Sequence, residues 1–312
     1  MTLKLGTRGS ALALVQARTV AALLSAAGVP TELVTITTTG DRLQHAPLTD
    51  AGGKRLFVKE IEDALLRGEI DLAIHSAKDM PAELPDGLDI AAVLPREDPR
   101  DALVLPDPVK PADLQEALTH VGETPVVGTG SVRRIAQLTA LLPQATFKPI
   151  RGNVDTRIRK LDAGDFTALV LAAAGLRRLG LSDRISAALP YTHSVPAPGQ
   201  GIIAIETRAD DEATRRALVS LNDPATLTSL IAERAVVAAL GGGCQLPLGA
   251  VAVHDAGMLH VHAIVASPDG RRVIRRERSG LAARAAQIGR RLADDLASAG
   301  AAQILDEVRS RQ

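Results

Sequence analysis

The sequence contains a single cysteine, Cys244, which follows three consecutive glycines. A thiolate is a strong nucleophile that forms covalent bonds to electrophilic carbon. Glycines after an apolar segment favour an adaptable loop, where a bulky adduct on the thiol could lie close to the backbone. A free cysteine is also a common small core residue. The pattern leaves a covalent attachment point and a buried apolar residue open, while one cysteine excludes an internal disulfide.

A Lys-Asp pair, Lys78-Asp79, follows the apolar stretch Asp71–His75, which predicts a strand. Open α/β sheets bind ligands beyond the carboxyl ends of their strands. A carboxylate there can stabilise a developing positive charge or exchange a proton with a substrate, and a neighbouring lysine favours its ionised form. Adjacent opposite charges also form exposed ion pairs that contribute little to stability. The sequence leaves a catalytic pair and a surface ion pair open.

The basic residues are strongly biased, with 29 arginines and 7 lysines. Codon bias produces such a split, and so does a need for planar guanidinium forks that bind carboxylates or phosphates. Arg133 and Arg134 come at a predicted helix start, where a positive charge opposes the helix dipole and a bound anion would offset it. Further arginines come near predicted strand ends and turns: Arg8, Arg151, Arg157, Arg177 and Arg178. This placement favours a polyanionic ligand.

Charge and composition exclude several classes of protein. The 36 basic residues balance 36 acidic ones, whereas a general nucleic-acid-binding protein has a basic excess. Aromatic residues make up 1%, so base or sugar stacking is not expected. No apolar run reaches about 18 residues and no signal-peptide pattern is present, so we expect a cytoplasmic protein without a membrane span. His254, His260 and His262 come closest to a metal-ligand spacing, but the last two alternate as in a strand, so we expect no metal site.

Two parts of the chain repeat the same local pattern. Leu3–Leu5 predicts a strand, and after a Gly-Thr turn Ser10 caps a predicted helix over Ala11–Ala27. Val126–Gly128 predicts another strand, and Ser131 caps the helix that follows. Each turn points backbone N–H groups and a helix dipole at one spot, which suits an anion. Alternating strands and helices indicate an α/β fold in which two similar domains face each other across a cleft.

Two proline-rich stretches, Pro95–Pro111 and Pro190–Gly201, predict segments that cross between these domains. Two crossings return the strand after Gly201 to the first domain. From about Leu221 the pattern changes to a long helix, three strands and a final helix, which predicts a small α+β domain. We therefore expect two periplasmic-binding-protein-like α/β domains, residues 1–97 with 200–217 and residues 98–199, followed by a C-terminal domain of residues 218–312.

Nine stretches in order along the chain resemble the porphobilinogen deaminase family: TRGSALALVQA, GGKRLFVKE, DLAIHSAKDMP, REDPRDAL, GTGSVRR, RGNVDTR, AGLRRLGL, PAPGQG and GGGCQLPLG. The resemblance implies head-to-tail condensation of four porphobilinogen molecules, with release of ammonia, onto a covalent dipyrromethane cofactor. Hydrolysis then releases hydroxymethylbilane for the synthesis of heme and other tetrapyrroles. The resemblance also implies a cytoplasmic monomer that hands its product to uroporphyrinogen III synthase.

The resemblance assigns roles to particular residues. It implies a thioether from Cys244 to the cofactor and a catalytic carboxylate at Asp79. It implies that the cofactor is bound, besides Asp79, by Lys78, Thr129, Ser131, Arg133 and Arg134. It implies that the incoming substrate is bound by Arg8, Ser10, Phe57, Arg151, Arg157, Arg178 and Gln200.

Two positions depart from the family pattern. Gly130 occurs where the family usually has serine, which removes one hydroxyl donor from the anion-binding turn. Arg55 occurs where the family usually has glycine, at the end of the stretch Thr39–Arg55 that we expect to act as a lid. Neither departure involves Cys244 or Asp79, so the predicted activity is unchanged.

Two other functions share some of these features. An anion-binding protein of the periplasmic type would also have two α/β domains and anion-binding turns. It would carry a secretion signal, however, and would need neither the cysteine in a glycine loop nor a third domain. A phosphate-transferring enzyme would show a P-loop, Gly-x4-Gly-Lys-Ser/Thr, and the sequence contains none.

Overall fold

The computed structural model describes residues 2–42, 58–241 and 246–310. They form two similar α/β units, each around a five-stranded sheet, and a third unit with a three-stranded antiparallel sheet. This architecture confirms the predicted fold class. Phe57, Cys244 and most of the expected lid, including Arg55, lie outside the described residues.

The first unit packs a long helix against a sheet. Its elements before the first crossing, within the described residues, are β1 (Leu3–Thr7), α1 (Ala11–Ala26), β2 (Thr31–Thr35), α2 (Thr39–Arg42), α3 (Lys59–Leu66), β3 (Leu72–Ser76) and β4 (Leu88–Val93). Ser10 caps α1 as predicted, because its hydroxyl accepts a hydrogen bond from the Ala13 N–H at 3.4 Å. Val20 and Leu24 of α1 are fully buried against Leu5 and Leu72 of the sheet, which fixes the helix on this face.

The second unit repeats this arrangement. Its elements are β5 (Asp101–Val104), α4 (Leu114–Val121), β6 (Val126–Gly128), α5 (Val132–Leu138), β7 (Thr146–Lys148), α6 (Val154–Asp162), β8 (Ala168–Ala172), α7 (Ala173–Arg178) and β9 (Ala187–Ala188). The chain then returns to the first unit as β10 (Ile203–Arg208) and α8 (Glu212–Leu218). The predicted return of the strand after Gly201 to the first sheet is confirmed.

The two five-stranded sheets have the same spatial arrangement of strands, although the fourth strand comes last along the chain in the first sheet and first in the second. Their strand orders are β2-β1-β3-β10-β4 and β7-β6-β8-β5-β9. In each sheet the first three strands are parallel and the fourth is antiparallel to its neighbours. The repeat predicted from the two Gly-Thr turns is therefore a repeat of whole sheets, and the turns occupy equivalent places after β1 and β6.

The first predicted crossing segment, Pro95–Pro111, is only partly a connection. Residues 101–104 form β5, which pairs antiparallel with β8 and β9 in the second sheet. The flanking prolines made this short apolar run resemble a linker. Its strand character depends on partners that lie about 65 to 86 residues further along the chain, and such pairing leaves no local pattern.

The third unit is a helix-covered antiparallel sheet. It contains α9 (Pro224–Ala239), β11 (Leu248–Asp255), β12 (Met258–Ala266), β13 (Val273–Leu281), α10 (Ala285–Ser298) and α11 (Ala301–Arg309). Asp223 caps α9 and Pro224 occupies its first turn, a favoured combination at a helix start. Although α9 is rich in apolar residues, no helix within the described residues is long and apolar enough to cross a membrane.

Candidate active site

Asp79 lies on a short turn at the carboxyl end of β3. Residues Ala77–Asp79 form one turn of 3-10 helix, anchored where the Ala77 N–H donates to the Ile202 carbonyl at 3.0 Å. The side chain of Asp79 lines a pocket of about 60 Å³. The same pocket is lined by Arg8, Ser10, Gln16, His75 and Ser76. The structure thus brings together the predicted catalytic carboxylate and two of the predicted substrate-binding residues.

Lys78 and Asp79 are half-buried and do not form an exposed surface pair. Burial lowers the pKa of Lys78, the neighbouring Asp79 raises it, and the positive charge of Arg134 lowers it again. Lys78 belongs to the first unit and Arg134 to the second. The charge of Arg134 therefore acts on Lys78 from the other α/β unit.

The arginines at the start of α5 share a carboxylate that the sequence analysis missed. Asp101, the first residue of β5, is fully buried. It accepts hydrogen bonds from Arg133 at 2.7 and 3.3 Å and from Arg134 at 2.7 and 3.0 Å. Ser194 and Gln200 also donate to it, at 2.7 and 3.0 Å. The sequence did contain a signal for this contact. An acidic residue at the start of the apolar run Asp101–Leu105 is expected to be buried, and a buried carboxylate requires partners.

Burial would raise the pKa of Asp101, but Arg133 and Arg134 outweigh it and hold the pKa well below its usual range. Asp101 therefore stays ionised to a lower pH than an ordinary aspartate. Part of the negative charge that offsets the two arginines, predicted to come from a bound anion, is supplied by Asp101. One carboxylate between two guanidiniums still leaves a net positive charge.

Arg157 adds to this charge. Burial, followed by repulsion from Arg134, lowers the pKa of Arg157 to about 10. Its Nε donates to the Gly152 carbonyl at 2.8 Å, and no described carboxylate lies within ion-pair distance of it. We call Lys78, Arg133, Arg134 and Arg157 the cationic cluster. It carries four positive charges beside two carboxylates, Asp79 and Asp101, so it attracts anions.

Thr129 and Ser131 shape the turn between β6 and α5. Thr129 is buried, and its hydroxyl accepts a hydrogen bond from the Ser131 N–H at 3.3 Å. Ser131 caps α5 by accepting from the Arg134 N–H at 3.4 Å. Both hydroxyls therefore stabilise the turn that presents the two arginines. A side chain at Gly130 would meet only the Ile150 carbonyl oxygen, at 3.8 Å, so the turn has room for the serine that the family usually has there.

The remaining predicted site residues lie around the second crossing segment and the loop after β7. Arg178 donates to the Gly201 carbonyl at 2.7 Å, and burial lowers its pKa although Glu97 raises it in part. Gln200 donates to the Pro99 carbonyl at 2.7 Å as well as to Asp101. Arg151 is half-buried in the loop that precedes α6. None of these three lines the pocket beside Asp79.

The three histidines considered for a metal site have other partners. His254 contacts the Ala225 carbonyl at 2.8 Å, His260 contacts Ser279 at 2.7 Å, and His262 pairs with Glu277 at 3.2 Å. Within residues 2–42, 58–241 and 246–310, no group of three or more His, Cys, Asp and Glu side chains is placed to hold a metal ion.

The fold and the site define an α/β protein with two repeated sheets, a cationic cluster and a pocket that contains one half-buried carboxylate. Family models for porphobilinogen deaminase match nearly the whole chain, the dipyrromethane cofactor-binding domain over residues 3–216 and the C-terminal domain over residues 227–298. The chain belongs to the porphobilinogen deaminase family. It is a transferase with a dipyrromethane cofactor and hydroxymethylbilane synthase function in tetrapyrrole biosynthesis. The resemblance is thereby confirmed, and both alternative functions are set aside.

Solved structures with similar backbones include three periplasmic proteins. A periplasmic substrate-binding protein of an ABC transporter from Coxiella burnetii is 13% identical, with 73% of this chain and 94% of that chain covered and a TM-score of 0.41. An arginine-specific periplasmic binding protein from Salmonella typhimurium is 11% identical, with 72% and 93% covered and a TM-score of 0.38. The periplasmic domain of BvgS from B. pertussis is 18% identical, with a TM-score of 0.37. The match covers 71% of this chain but only 40% of that one.

Proposed function

We propose that Asp79 is the catalytic carboxylate and that Cys244 carries the dipyrromethane cofactor through a thioether. The first assignment is supported by the position of Asp79 beyond the end of β3, in a pocket that it shares with Arg8 and Ser10. The pocket is the observation that carries the proposal. The second assignment is supported by the sequence, because Cys244 is the one cysteine and lies in a stretch that resembles the family motif.

The cationic cluster fits an acidic pyrrole cofactor. Each pyrrole ring of this chemistry carries two carboxylates. Beside the counter-ion Asp101, the cluster offers the guanidiniums of Arg133 and Arg134 and the ammonium of Lys78 to the cofactor, and the guanidinium of Arg157 to the incoming ring. Guanidinium forks pair bidentately with carboxylates, which fixes the position of each ring as well as neutralising its charge. The bound cofactor would supply the point to which new rings are attached.

The substrate requires a fixed negative charge near its ring nitrogen. Porphobilinogen is a pyrrole with an aminomethyl group, an acetate and a propionate. Loss of ammonia from the protonated aminomethyl group leaves an azafulvenium cation, whose positive charge is shared by the ring nitrogen. A carboxylate held by the protein stabilises that charge, and Asp79 can also exchange protons with the leaving amine or the ring carbon.

The other assignments form two groups. Lys78, Arg133 and Arg134, with the turn residues Thr129 and Ser131, bind the cofactor. The incoming ring is bound by Arg8, Ser10, Phe57, Arg151, Arg157, Arg178 and Gln200. Two observations support this division. Thr129, Arg133 and Arg134, which we assign to the cofactor, are buried at or beside the start of α5. Arg8 and Ser10, which we assign to the substrate, line the pocket beside Asp79.

The domain limits, the assembly state and the location in the cell are part of the same proposal. The domains comprise residues 1–97 with 200–217, residues 98–199 and residues 218–312, and the sheet pairing of β10 with β3 and β4 supports the discontinuous first domain. The family resemblance supports a cytoplasmic monomer that passes its product to uroporphyrinogen III synthase. Sedimentation velocity of the purified chain tests the monomer.

Two variants test the central assignments. Cys244→Ser should lack a covalent cofactor, give no colour with an aldehyde reagent for pyrroles, and be inactive. Asp79→Asn should carry cofactor but turn over about 100- to 1,000-fold more slowly, the usual effect of removing one preorganised electrostatic contact. Intact mass, the colour reaction and the initial rate of hydroxymethylbilane formation measure these effects.

Each assignment has its own contrary result. An active protein whose mass equals that of the unmodified chain would refute the role of Cys244. A rate above about one tenth of the wild-type value in Asp79→Asn, with cofactor present, would refute the role of Asp79.

A further inference from the structure

Arg234 of the third unit donates two hydrogen bonds to the loop that follows Asp79. Its Nη1 bonds the Pro81 carbonyl at 2.9 Å and its Nη2 bonds the Ala82 carbonyl at 2.6 Å. The planar guanidinium can hold two adjacent carbonyls at once. No described carboxylate lies within ion-pair distance of Arg234. Burial lowers the pKa of Arg234, and the more distant charges of Glu206 and Asp89 raise it in part. The guanidinium therefore binds backbone carbonyls and not an acidic side chain.

The preceding residue on α9, Glu233, holds the segment on the other side of the same turn. Glu233 is fully buried and accepts a hydrogen bond from the Gly199 N–H at 2.6 Å. Its carboxylate also pairs with Arg96 at 2.5 Å and accepts from the Ala252 N–H at 2.8 Å. A second donor of Arg96, Nη2, bonds the same oxygen as Gly199 at 3.3 Å, so each carboxylate oxygen has two donors and Gly199 is fixed relative to α9.

Gly199 in turn packs against the backbone of the Asp79 turn. A Cβ at Gly199, whose φ is +74°, would lie 3.0 Å from the backbone of Ala77 and Lys78. Only glycine allows this approach without strain. Ile202, three residues later, accepts the hydrogen bond from the Ala77 N–H. The segment 199–202 thus supports the turn from its N-terminal side, while Arg234 holds it from the C-terminal side.

An apolar contact lies between these two attachments. Met80, the residue after Asp79, is 3% exposed and packs in one cluster with Leu230 of α9 and Ile202. The backbone on both sides of Asp79 is consequently attached to one helix of the third unit.

We propose that Arg234 is a positioning residue, which holds the turn Ala77–Asp79 so that the Asp79 carboxylate faces the pocket. Arg234 does not line the pocket and acts only through Pro81 and Ala82. The inference rests on the proposed role of Asp79. A displacement of about 1 Å in a reacting group can lower a rate about a hundredfold. Among the described residues, Arg234 is the one side chain that donates hydrogen bonds to the Pro81 and Ala82 carbonyls.

The test compares Arg234→Met with a matched variant, Arg208→Met. Arg208 also donates to two backbone carbonyls of the first unit, those of Leu65 and Ile70, at 2.9 and 2.8 Å. It lies at the last position of β10, whereas Ile203 at the first position pairs with Ser76 beside the pocket. Five residues of extended strand separate these ends by about 17 Å. Both variants lose two hydrogen bonds to backbone carbonyls, but only Arg234→Met loses them beside Asp79. Arg208→Met also loses an ion pair with Asp211 at 2.7 Å, so it is the more severe change away from the pocket.

Both holoenzymes should carry full dipyrromethane by intact mass and should unfold at lower temperature than wild type. In Arg234→Met, kcat should fall about 10- to 100-fold while KM changes less than about threefold, because the groups proposed to bind substrate are retained. In Arg208→Met, kcat should stay within about twofold of wild type. Arg234→Lys, which keeps a donor but loses the fork, should recover part of the lost kcat.

Equal kcat values in the two methionine variants would overturn the inference, as would a loss in Arg234→Met that appears only in KM. Combining Arg234→Met with Asp79→Asn should add little to the loss of Asp79→Asn alone, since both changes act on one group. If the kcat loss in the double variant equals the product of the two single losses, Arg234 acts on a group other than Asp79. A near wild-type rate in Asp79→Asn would refute the proposed role of Asp79 and this inference with it. A large loss of kcat in Asp79→Asn, together with a kcat near wild type in Arg234→Met, would refute the inference about Arg234 and leave the proposed role of Asp79 intact.

Discussion

Each of the two sheets contains a strand, a turn and a serine-capped helix, a unit that we call the frame. The side chains that surround the frame differ between the two sheets. After β1, Ser10 caps α1, and after β6, Ser131 caps α5, with serine-to-backbone distances of 3.4 Å in both. The first frame continues into the apolar helix face of α1 and borders the pocket of Asp79. The second frame continues into Arg133 and Arg134.

The sheets carry different residues at one equivalent buried position. The fourth strand of the first sheet begins with Ile203, opposite the last residue of β3, Ser76. The fourth strand of the second sheet begins with Asp101, opposite the last residue of β8, Ala172. Both first residues are buried. A carboxylate in place of an apolar side chain is what allows two arginines to be buried beside the second turn.

This comparison separates folding from function. The strand-turn-helix frame and its serine cap are common to both sheets and require only local interactions. Whether the frame becomes a reaction pocket or an arginine-lined cradle depends on which side chains are placed around it. Substitutions that remove a charged side chain beside a frame should therefore have larger effects than substitutions within the turn itself.

The largest expected effect on stability is that of Asp101→Asn. It leaves two buried guanidiniums without their carboxylate, and removing one partner of a buried ion pair typically lowers the free energy of unfolding by about 3–5 kcal/mol. Urea denaturation at pH 7 measures the change. Asp162→Asn is the control, because Asp162 pairs with Arg184 at a position that is 36% exposed, where about 0–1 kcal/mol is expected. A similar loss in both variants would contradict the special role of Asp101.

The same carboxylate predicts a pH dependence. The pKa of Asp101 is lower in the folded chain than in the unfolded one, so its contribution to stability is fully present above the unfolded value of about 3.9 and is lost as the pH falls toward the folded value. The difference in unfolding free energy between wild type and Asp101→Asn should be constant above about pH 5 and shrink below about pH 4. A constant difference down to pH 2 would argue against this ionisation.

The arginines beside the two frames, together with Arg157 of α6, should divide by function. Arg133→Leu and Arg134→Leu should impair cofactor loading, whereas Arg8→Leu and Arg157→Leu should keep the cofactor and weaken uptake of the first substrate. Loss of a charge-assisted hydrogen bond costs about 1.5–3 kcal/mol, which corresponds to about 10- to 150-fold in affinity. Intact mass gives the cofactor occupancy and steady-state kinetics give KM. Equal occupancy in all four variants would contradict the division.

The smallest expected effect is that of Gly130→Ser, which restores the usual family residue in the second turn. The added Cβ meets only the Ile150 carbonyl oxygen at 3.8 Å, so stability should change by less than about 0.5 kcal/mol. One added hydroxyl donor should speed cofactor loading of the apoprotein by about two- to tenfold. Gly128→Ser is the contrasting control, because its Cβ would lie 2.5 Å from the Leu169 side chain and should lower the melting temperature. An unchanged loading rate would show that this donor does not reach the ligand.

The sequence by itself determined the fold class, the repeated turn and the family. Strand alternation, the serine caps at Ser10 and Ser131 and the change of pattern near Leu221 depend on neighbours only a few residues apart, and such neighbours are visible in a linear reading. The placement of Asp79 beyond a strand end followed from the same local pattern. The roles of Cys244 and Phe57 remain predictions, since both lie outside the described residues.

Only the tertiary structure decided which charges meet. Asp101 contacts Arg133 and Arg134, 32 and 33 residues away, and Arg234 contacts Pro81 across 153 residues. The strand β5 exists because distant strands pair with it, although its sequence resembles a linker. A buried charge is stable only beside its partner. Its position is therefore set by packing between distant segments, which no local pattern in the sequence records.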